Sequence, residues 1–306
     1  MFNSINPSAD QFLNAMAQLN DRMDVLERQI SSGKRLEVPS DAPDEVSPVL
    51  TIRAEVARID QVTSNLGLVK TEVDTAESSV SAAVSLFDQV RTLGADGANG
   101  VQTATTRQSI ASQIASLENR MVALANTEVN GRFIFSGDSD QTMPYSLDMT
   151  QTPPFSAYAG STSTRQVVDA SGVQYPIAET AQDIFDNSDP TKNVFQAMET
   201  LRQALLANDS TAIQNAIDPL AGVSEHLNSM LSFYGNVQDQ VASSTDSAAS
   251  LKLSLQTQLS QDEDADLASA TVELQQLKFQ QDAAFQVRAA LPNVSLFDYL
   301  KGSGGA

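Results

Sequence analysis

Apolar residues recur at alternating steps of three and four near both ends of this chain. This is heptad spacing, which places every member of a run on one stripe of an α-helix. We therefore predict that the N- and C-terminal segments form helices that pair as a coiled coil. The two stripes are Phe12, Met16, Leu19, Met23, Leu26 and Ile30, and Leu267, Ala270, Leu274, Leu277, Ala284 and Leu291.

Two longer runs with the same helical period lie between the terminal stripes, over residues 52–90 and 213–255. Their similar lengths predict two antiparallel helices that share a core. Gly94, Gly97 and Gly100 are expected to interrupt the first run, and a shorter helix is expected to follow over residues 110–124.

The character of the sequence changes after Asn130, where prolines and tyrosines are concentrated and the helical period is lost. Short alternating segments at 166–168 and 173–177 flank the turn sequence Asp-Ala-Ser-Gly. This pattern is typical of a β-hairpin. We predict a small β-rich insertion between the helical regions.

These patterns together predict a mainly α protein, an elongated antiparallel bundle of long helices with paired terminal helices and a small β-rich insertion. We expect three parts. Paired terminal helices comprise 1–40 and 265–306, a long-helix core comprises 41–130 and 191–264, and the outward-facing insertion comprises 131–190.

Charge and composition exclude several classes of function. The net charge of −20 disfavours nucleic acid and anionic membranes as partners, because phosphate binding depends on Lys and Arg. The chain has no cysteine, so disulfides and thiol nucleophiles are absent. We also expect no cleaved signal peptide and no membrane-inserted helix.

Few residues are candidates for chemistry. His226 is the only histidine, and its polar neighbours indicate a solvated helix face. Asp138 and Asp140, and the acidic cluster at 262–266, lack the ligand pattern of a calcium loop and are interpreted as a turn and a helix start. We therefore expect no cofactor, no metal and no enzymatic activity.

The terminal stripes carry the strongest functional signal. Two helices alone cannot bury such stripes completely, and burial is what offsets the entropy of ordering the chain. We therefore expect neighbouring subunits to complete the burial, which makes self-assembly through the termini the preferred hypothesis.

Several segments of the chain resemble the bacterial flagellin family. Residues 30–36 read Ile-Ser-Ser-Gly-Lys-Arg-Leu, residues 39–43 read Pro-Ser-Asp-Ala-Pro, and residues 262–267 read Asp-Glu-Asp-Ala-Asp-Leu. Residues 126–137 are similar to the segment that leads into the family's variable region. The Arg-Phe-Ile-Phe-Ser-Gly run within it and the ending at 295–300 resemble the family's hook-associated junction branch rather than filament flagellins.

The resemblance implies a structural subunit that links the flagellar hook to the filament. Expected partners are further copies of the chain, the first hook-associated protein, flagellin and an export chaperone. The expected location is extracellular, in the flagellum, after export without a cleaved signal peptide. The expected assembly interface is Phe12, Met16, Leu19, Met23, Leu26, Ile30, Leu267, Leu274, Leu277, Leu291, Leu296, Phe297 and Leu300.

Two alternatives stay open at this point. A short flagellin that forms the filament itself would carry the same family segments. An intracellular coiled-coil adaptor would carry the same heptad stripes.

Overall fold

The computed structural model describes residues 7–36 and 43–290. Its elements follow the helical and β-rich regions expected from the sequence. In chain order they are α1 (Pro7–Ser32), α2 (Pro43–Ala98), α3 (Ala104–Ala125), β1 (Glu128–Val129), β2 (Arg132–Phe133), β3 (Gln166–Val168), β4 (Gln174–Pro176), α4 (Ala181–Phe185), α5 (Val194–Leu206), α6 (Ser210–Ile217), α7 (Leu220–Glu263) and α8 (Leu267–Ala290).

Residue contacts divide the chain into two units. Unit 1 comprises Met1–Ala57 and Leu253–Ala306, and unit 2 comprises Arg58–Lys252. Helices α2 and α7 contribute residues to both units. The insertion belongs to the same unit as the long-helix core, so the finer three-part division stays a prediction.

In unit 2, α2 and α7 run antiparallel, as their matched periodicity predicts. Lys252 contacts Asp60 at 2.6 Å, and Gln238 donates to Asp74 at 3.0 Å. Later residues of α2 thus contact earlier residues of α7, as in an antiparallel pair. Val80, Phe87 and Val241 are at most 1% exposed in the shared core. Packing of these apolar faces, rather than local helix propensity, stabilises helices of this length.

The helix is interrupted before Gly100, as expected, but the predicted interruption at Gly94 and Gly97 is wrong, because α2 continues to Ala98. Both glycines face α5. A Cβ at Gly94 would lie 3.0 Å from a methyl carbon of Leu201, and one at Gly97 would collide with Leu205. Tertiary packing thus offsets the usual helix-weakening effect of glycine.

A tight hairpin follows α3 and introduces the insertion. Strand β1 pairs antiparallel with β2, with Val129 opposite Arg132. Asn130 and Gly131 between them have φ values of +53° and +76°. Positive φ at both central residues is the signature of a type I′ turn, for which Asn-Gly is the preferred sequence.

The hairpin predicted within the insertion is confirmed. Strand β3 pairs antiparallel with β4, with Val167 opposite Tyr175. The insertion also contributes to the core of unit 2, where Phe135 packs edge-on against Phe185 with a centroid separation of 6.1 Å. Tyr145 packs in the same way against Phe195 at 5.0 Å.

The second long periodic run is divided between two helices. Helix α6 begins after Asp209, whose side chain accepts from Thr211 N and Ala212 N as an N-cap. Helix α7 begins just after Pro219. The helix break therefore coincides with the proline, which cannot donate a backbone hydrogen bond.

The predicted fold class is confirmed: the protein is mainly α, with long helices, paired terminal helices and only two small two-stranded sheets among the described residues. None of the described helices combines the length and the apolar character needed to cross a membrane.

Candidate assembly surface

The candidate site lies on the paired terminal helices of unit 1. Arg22 Nε donates to Glu273 Oε1 at 2.7 Å, and Gln281 donates to Asn20 at 2.8 Å. The Phe12 ring lies edge-on to the Phe285 ring, with centroids 6.4 Å apart. Early residues of α1 thus face late residues of α8, so the two helices pair antiparallel.

The structure brings the predicted stripes together along this pair and leaves them unevenly buried. Met16 and Leu26 are 8% and 6% exposed, whereas Leu267 is 47% exposed. The other described members are half-buried, namely Phe12, Leu19, Met23, Ile30, Leu274 and Leu277. The remaining predicted interface residues, Leu291, Leu296, Phe297 and Leu300, lie outside the described residues.

Helix α8 also carries apolar residues on the side that faces away from α1. Val272 is 56% exposed and Phe279 is 75% exposed. We call this side the outer stripe of α8. At 3.6 residues per turn, it consists of Val272, Gln275, Gln276, Phe279, Ala283, Gln286 and Ala290.

The outer stripe contains no charged residue, although the whole chain has a net charge of −20. The outward side of α1 is different, because Asp10, Asp21, Asp24 and Arg28 are exposed on it. An uncharged helix side with an exposed Phe is unusual for a surface that faces only water. The outer stripe is therefore the better candidate for a contact surface.

A second feature of unit 1 is a cluster of ion pairs, which we call the Glu263 clamp. The Glu263 carboxylate, at the end of α7, is 3% exposed. It pairs with Lys34 Nζ from the segment after α1 and with Arg53 from α2, whose Nη2 lies 2.7 Å away. Burial opposes ionisation of Glu263, but Arg53 and Lys34 outweigh it and hold the pKa below its ordinary value.

Backbone hydrogen bonds reinforce the clamp. The Arg35 N–H donates to Glu263 O at 2.7 Å, and the Ala265 N–H donates to Gly33 O at 3.0 Å. Gly33 has a φ of +72°, the left-handed conformation that ends helices at glycine. Arg35 also pairs with Glu45 and donates to Asp262 O at 2.7 Å. The segment after α1 is thus fastened to the junction between α7 and α8.

The family model of the bacterial flagellin N-terminal helical region matches residues 4–140, and the model of the C-terminal helical region matches residues 217–300. This chain belongs to the flagellin family. The family is a structural component of the flagellum and not an enzyme family, which confirms the expected function class.

Two relatives carry the name flagellar hook-associated protein 3. The chain is 31% identical over 160 residues to the Escherichia coli protein, covering 52% of this chain and 49% of the relative. It is 27% identical over 192 residues to the Salmonella typhimurium protein, covering 59% of each. The chain thus spans about half of the length of one relative and about three-fifths of the other.

Solved structures show the same fold. A putative flagellar hook-associated protein from Vibrio parahaemolyticus is 20% identical with a TM-score of 0.65, covering 73% of this chain and all of that one. A flagellar hook-associated protein-3 from Legionella pneumophila is 12% identical with a TM-score of 0.62, covering 70% of this chain and 98% of that one.

Two of the segments that resemble the flagellin family lie next to each other in the structure. The segment at 30–36 and the segment at 262–267 meet in the Glu263 clamp. Sequence reasoning treated the acidic cluster at 262–266 as one solvated helix start. Only Asp266 has that role, because it accepts from Ala268 N and Ser269 N at the start of α8.

The sequence also misplaced the only histidine. His226 is 9% exposed rather than solvated, and its Nε2 lies 2.9 Å from Asp183 O. Among the described residues, no group of three or more His, Cys, Asp or Glu side chains is placed to hold a metal ion.

Proposed function

We propose that this chain is a structural junction subunit of the bacterial flagellum, which joins hook to filament by packing against other copies of itself through α1 and α8. The observation that carries this proposal is the incomplete burial of these two helices, with an uncharged outer stripe on α8. The names of the two relatives support the junction role.

The magnitude of the available burial favours assembly in a layer over a stable isolated dimer. Burial of a large apolar side chain contributes about 1.5–3 kcal/mol. The five large exposed apolar residues of α8 therefore offer roughly 7–15 kcal/mol at most, namely Leu267, Val272, Phe279, Phe285 and Val287. Association costs about 4–15 kcal/mol in lost freedom. One contact therefore only balances its cost, whereas neighbours on two sides supply a second contact for each subunit.

We further propose the specific neighbours and the location that the family resemblance implies. The neighbours in the assembled structure are the first hook-associated protein on one side and flagellin on the other. The chain reaches them outside the cell after export with a chaperone. It is not a filament-forming flagellin.

A deletion strain that lacks this chain tests the proposed function. We expect loss of motility and release of unpolymerised flagellin into the medium. The native chain should restore motility and stop the release. Retained filaments in the deletion strain would contradict the junction role. Elongation of flagellar seeds into long filaments by the purified chain would instead support a filament flagellin.

Complementation with two matched variants tests the proposed surface. Val272 on α8 and Val173 in the turn before β4 are each 56% exposed. We expect Val272→Asp to be secreted but to fail to restore motility, because it puts a charge on the outer stripe. Val173→Asp should restore motility. Equal complementation by both variants would exclude the outer stripe as a contact surface.

A further inference from the structure

The apolar stripes of α1 and α8 do not by themselves define one alignment of the two helices. A shift of α1 by one heptad replaces Phe12 with Leu19 and Met16 with Met23, and a shift of α8 replaces Leu267 with Leu274. Each of these replacements keeps an apolar residue on the seam, whereas the same shift of α8 also replaces Leu274 with Gln281. Heptad pairs of this kind depend on polar groups to specify one register.

The exposed polar contacts between the helices are weak candidates for that role. The side chains of Arg22 and Glu273 are 67% and 38% exposed, and those of Glu27 and Lys278 are 52% and 53% exposed. Exposed ion pairs contribute little to stability because water and salt screen them. They follow whichever alignment the helices adopt.

The Glu263 clamp has the properties that a register determinant needs. Its carboxylate is buried, so removal of one partner leaves uncompensated charge, and a misaligned pair is strongly disfavoured. It also lies at one end of the pair, where Gly33 O accepts from Ala265 N. This contact fixes the end of α1 relative to the start of α8.

We propose that Glu263 is a positioning residue that selects a single register of α1 against α8 by holding Lys34 and Arg53 at the α7–α8 junction. In that register Asn20 faces Gln281. Without the clamp, registers displaced by one heptad become populated as well, because most of the apolar seam fits them too.

Engineered cysteine pairs can test this proposal directly, because the chain has no cysteine of its own. The pair Asn20→Cys with Gln281→Cys reports the native register. Pairs of Asn20→Cys with Leu274→Cys or with Arg288→Cys report a shift by one heptad in either direction. Each pair is oxidised in the otherwise native chain, in Glu263→Gln and in Glu263→Asp, and disulfide yields are compared.

We expect the otherwise native chain to form the native-register disulfide, with less than about a tenth of that yield for the shifted pairs. In Glu263→Gln, at least one shifted pair should rise to a yield comparable with the native pair, and Glu263→Asp should restore most of the preference. Glu45→Gln is the matched control, because Glu45 pairs with Arg35 in the same region but is exposed. It should not shift the register.

Two results would overturn the proposal. Glu263→Gln that forms only the native-register disulfide would show that other contacts select the register. Loss of all disulfides in Glu263→Gln would show that Glu263 stabilises pairing itself rather than its register. The measurement uses the monomer in dilute solution, so its outcome is independent of the proposed junction role.

Discussion

The two units of this flagellin-family protein differ in where their large apolar side chains lie. Among the described residues, unit 2 has forty-one buried apolar residues and eight large exposed ones. Unit 1 has only six buried apolar residues and also eight large exposed ones. Unit 2 therefore buries most of its apolar side chains by itself, whereas unit 1 leaves many of its large apolar side chains exposed and available for contact with other molecules.

The difference has a geometric cause. In unit 2, several helices and the insertion surround one aromatic cluster, in which Phe135, Phe185 and Phe195 are at most 1% exposed. In unit 1, α8 has a single buried residue, Ala270. A helix that contacts one partner helix can bury one stripe, and its other sides stay exposed. Burial in unit 1 is thus limited by the number of its elements.

Substitution of one phenylalanine in each unit gives the largest expected contrast. Phe87 in unit 2 is 1% exposed and Phe279 in unit 1 is 75% exposed. We expect Phe87→Ala to lower the free energy of unfolding by about 3–5 kcal/mol, because it leaves a cavity. Phe279→Ala should change it by less than about 0.5 kcal/mol. Urea unfolding of the monomer, followed by circular dichroism, measures both.

The same two variants should have the opposite order in assembly. Phe279→Ala should weaken assembly of the otherwise stable protein, because it removes the largest side chain of the outer stripe. Comparable losses of monomer stability in both variants would remove the distinction between a self-contained unit and an incomplete one.

Unit 2 also buries a carboxyl group, which makes its stability depend on pH. Glu118 on α3 is 1% exposed, and Arg202 Nε lies 3.2 Å from its Oε2. Arg202 is already engaged with both oxygens of Glu199, at 2.7 and 2.8 Å. One guanidinium thus serves two carboxylates. Burial, together with the charge of Glu199, raises the pKa of Glu118 to about 8.

This shift predicts that unit 2 loses stability as the pH rises from about 4.5 to about 8. The folded state keeps the Glu118 proton up to about pH 8, whereas the unfolded state releases it near 4.5. Stability should fall between these values, by up to about 1.4 kcal/mol per pH unit. Glu118→Gln should flatten this dependence and be the more stable form at pH 9. Urea unfolding from pH 5 to 9 checks it, and identical profiles would contradict it.

The sequence predicted the features that depend on local periodicity and turn chemistry. The terminal stripes predicted α1 and α8, and the alternating segments around residues 169–172 predicted the β3–β4 hairpin. These patterns are readable because each residue's environment repeats with the period of its own element. The extension of α2 through Gly97 was not readable, because it depends on the approach of Leu205 from another helix.

The contacts of the candidate site were predictable only in part. The stripe residues of α1 and α8 could be named from spacing alone. The Glu263 clamp could not, because Lys34, Arg53 and Glu263 are far apart in sequence and none of them is unusual in its own segment. The outer stripe of α8 was also not predicted, because it consists mostly of Gln and Ala and does not repeat large apolar residues at alternating steps of three and four. An absence of charge along one helix side was the available signal.

The smallest expected effect concerns exposed ion pairs, and it shows which force separates the two units. Arg22–Glu273 in unit 1 and Lys70–Asp74 in unit 2 are both solvent-exposed. We expect Arg22→Met and Lys70→Met each to cost about 0.2–1 kcal/mol, and the cost to vanish in 1 M salt. Thermal unfolding at low and high salt measures both. A much larger, salt-sensitive loss for Arg22→Met would mean that unit 1 is held together by charge, and the contrast in apolar burial would then no longer explain why it is incomplete alone.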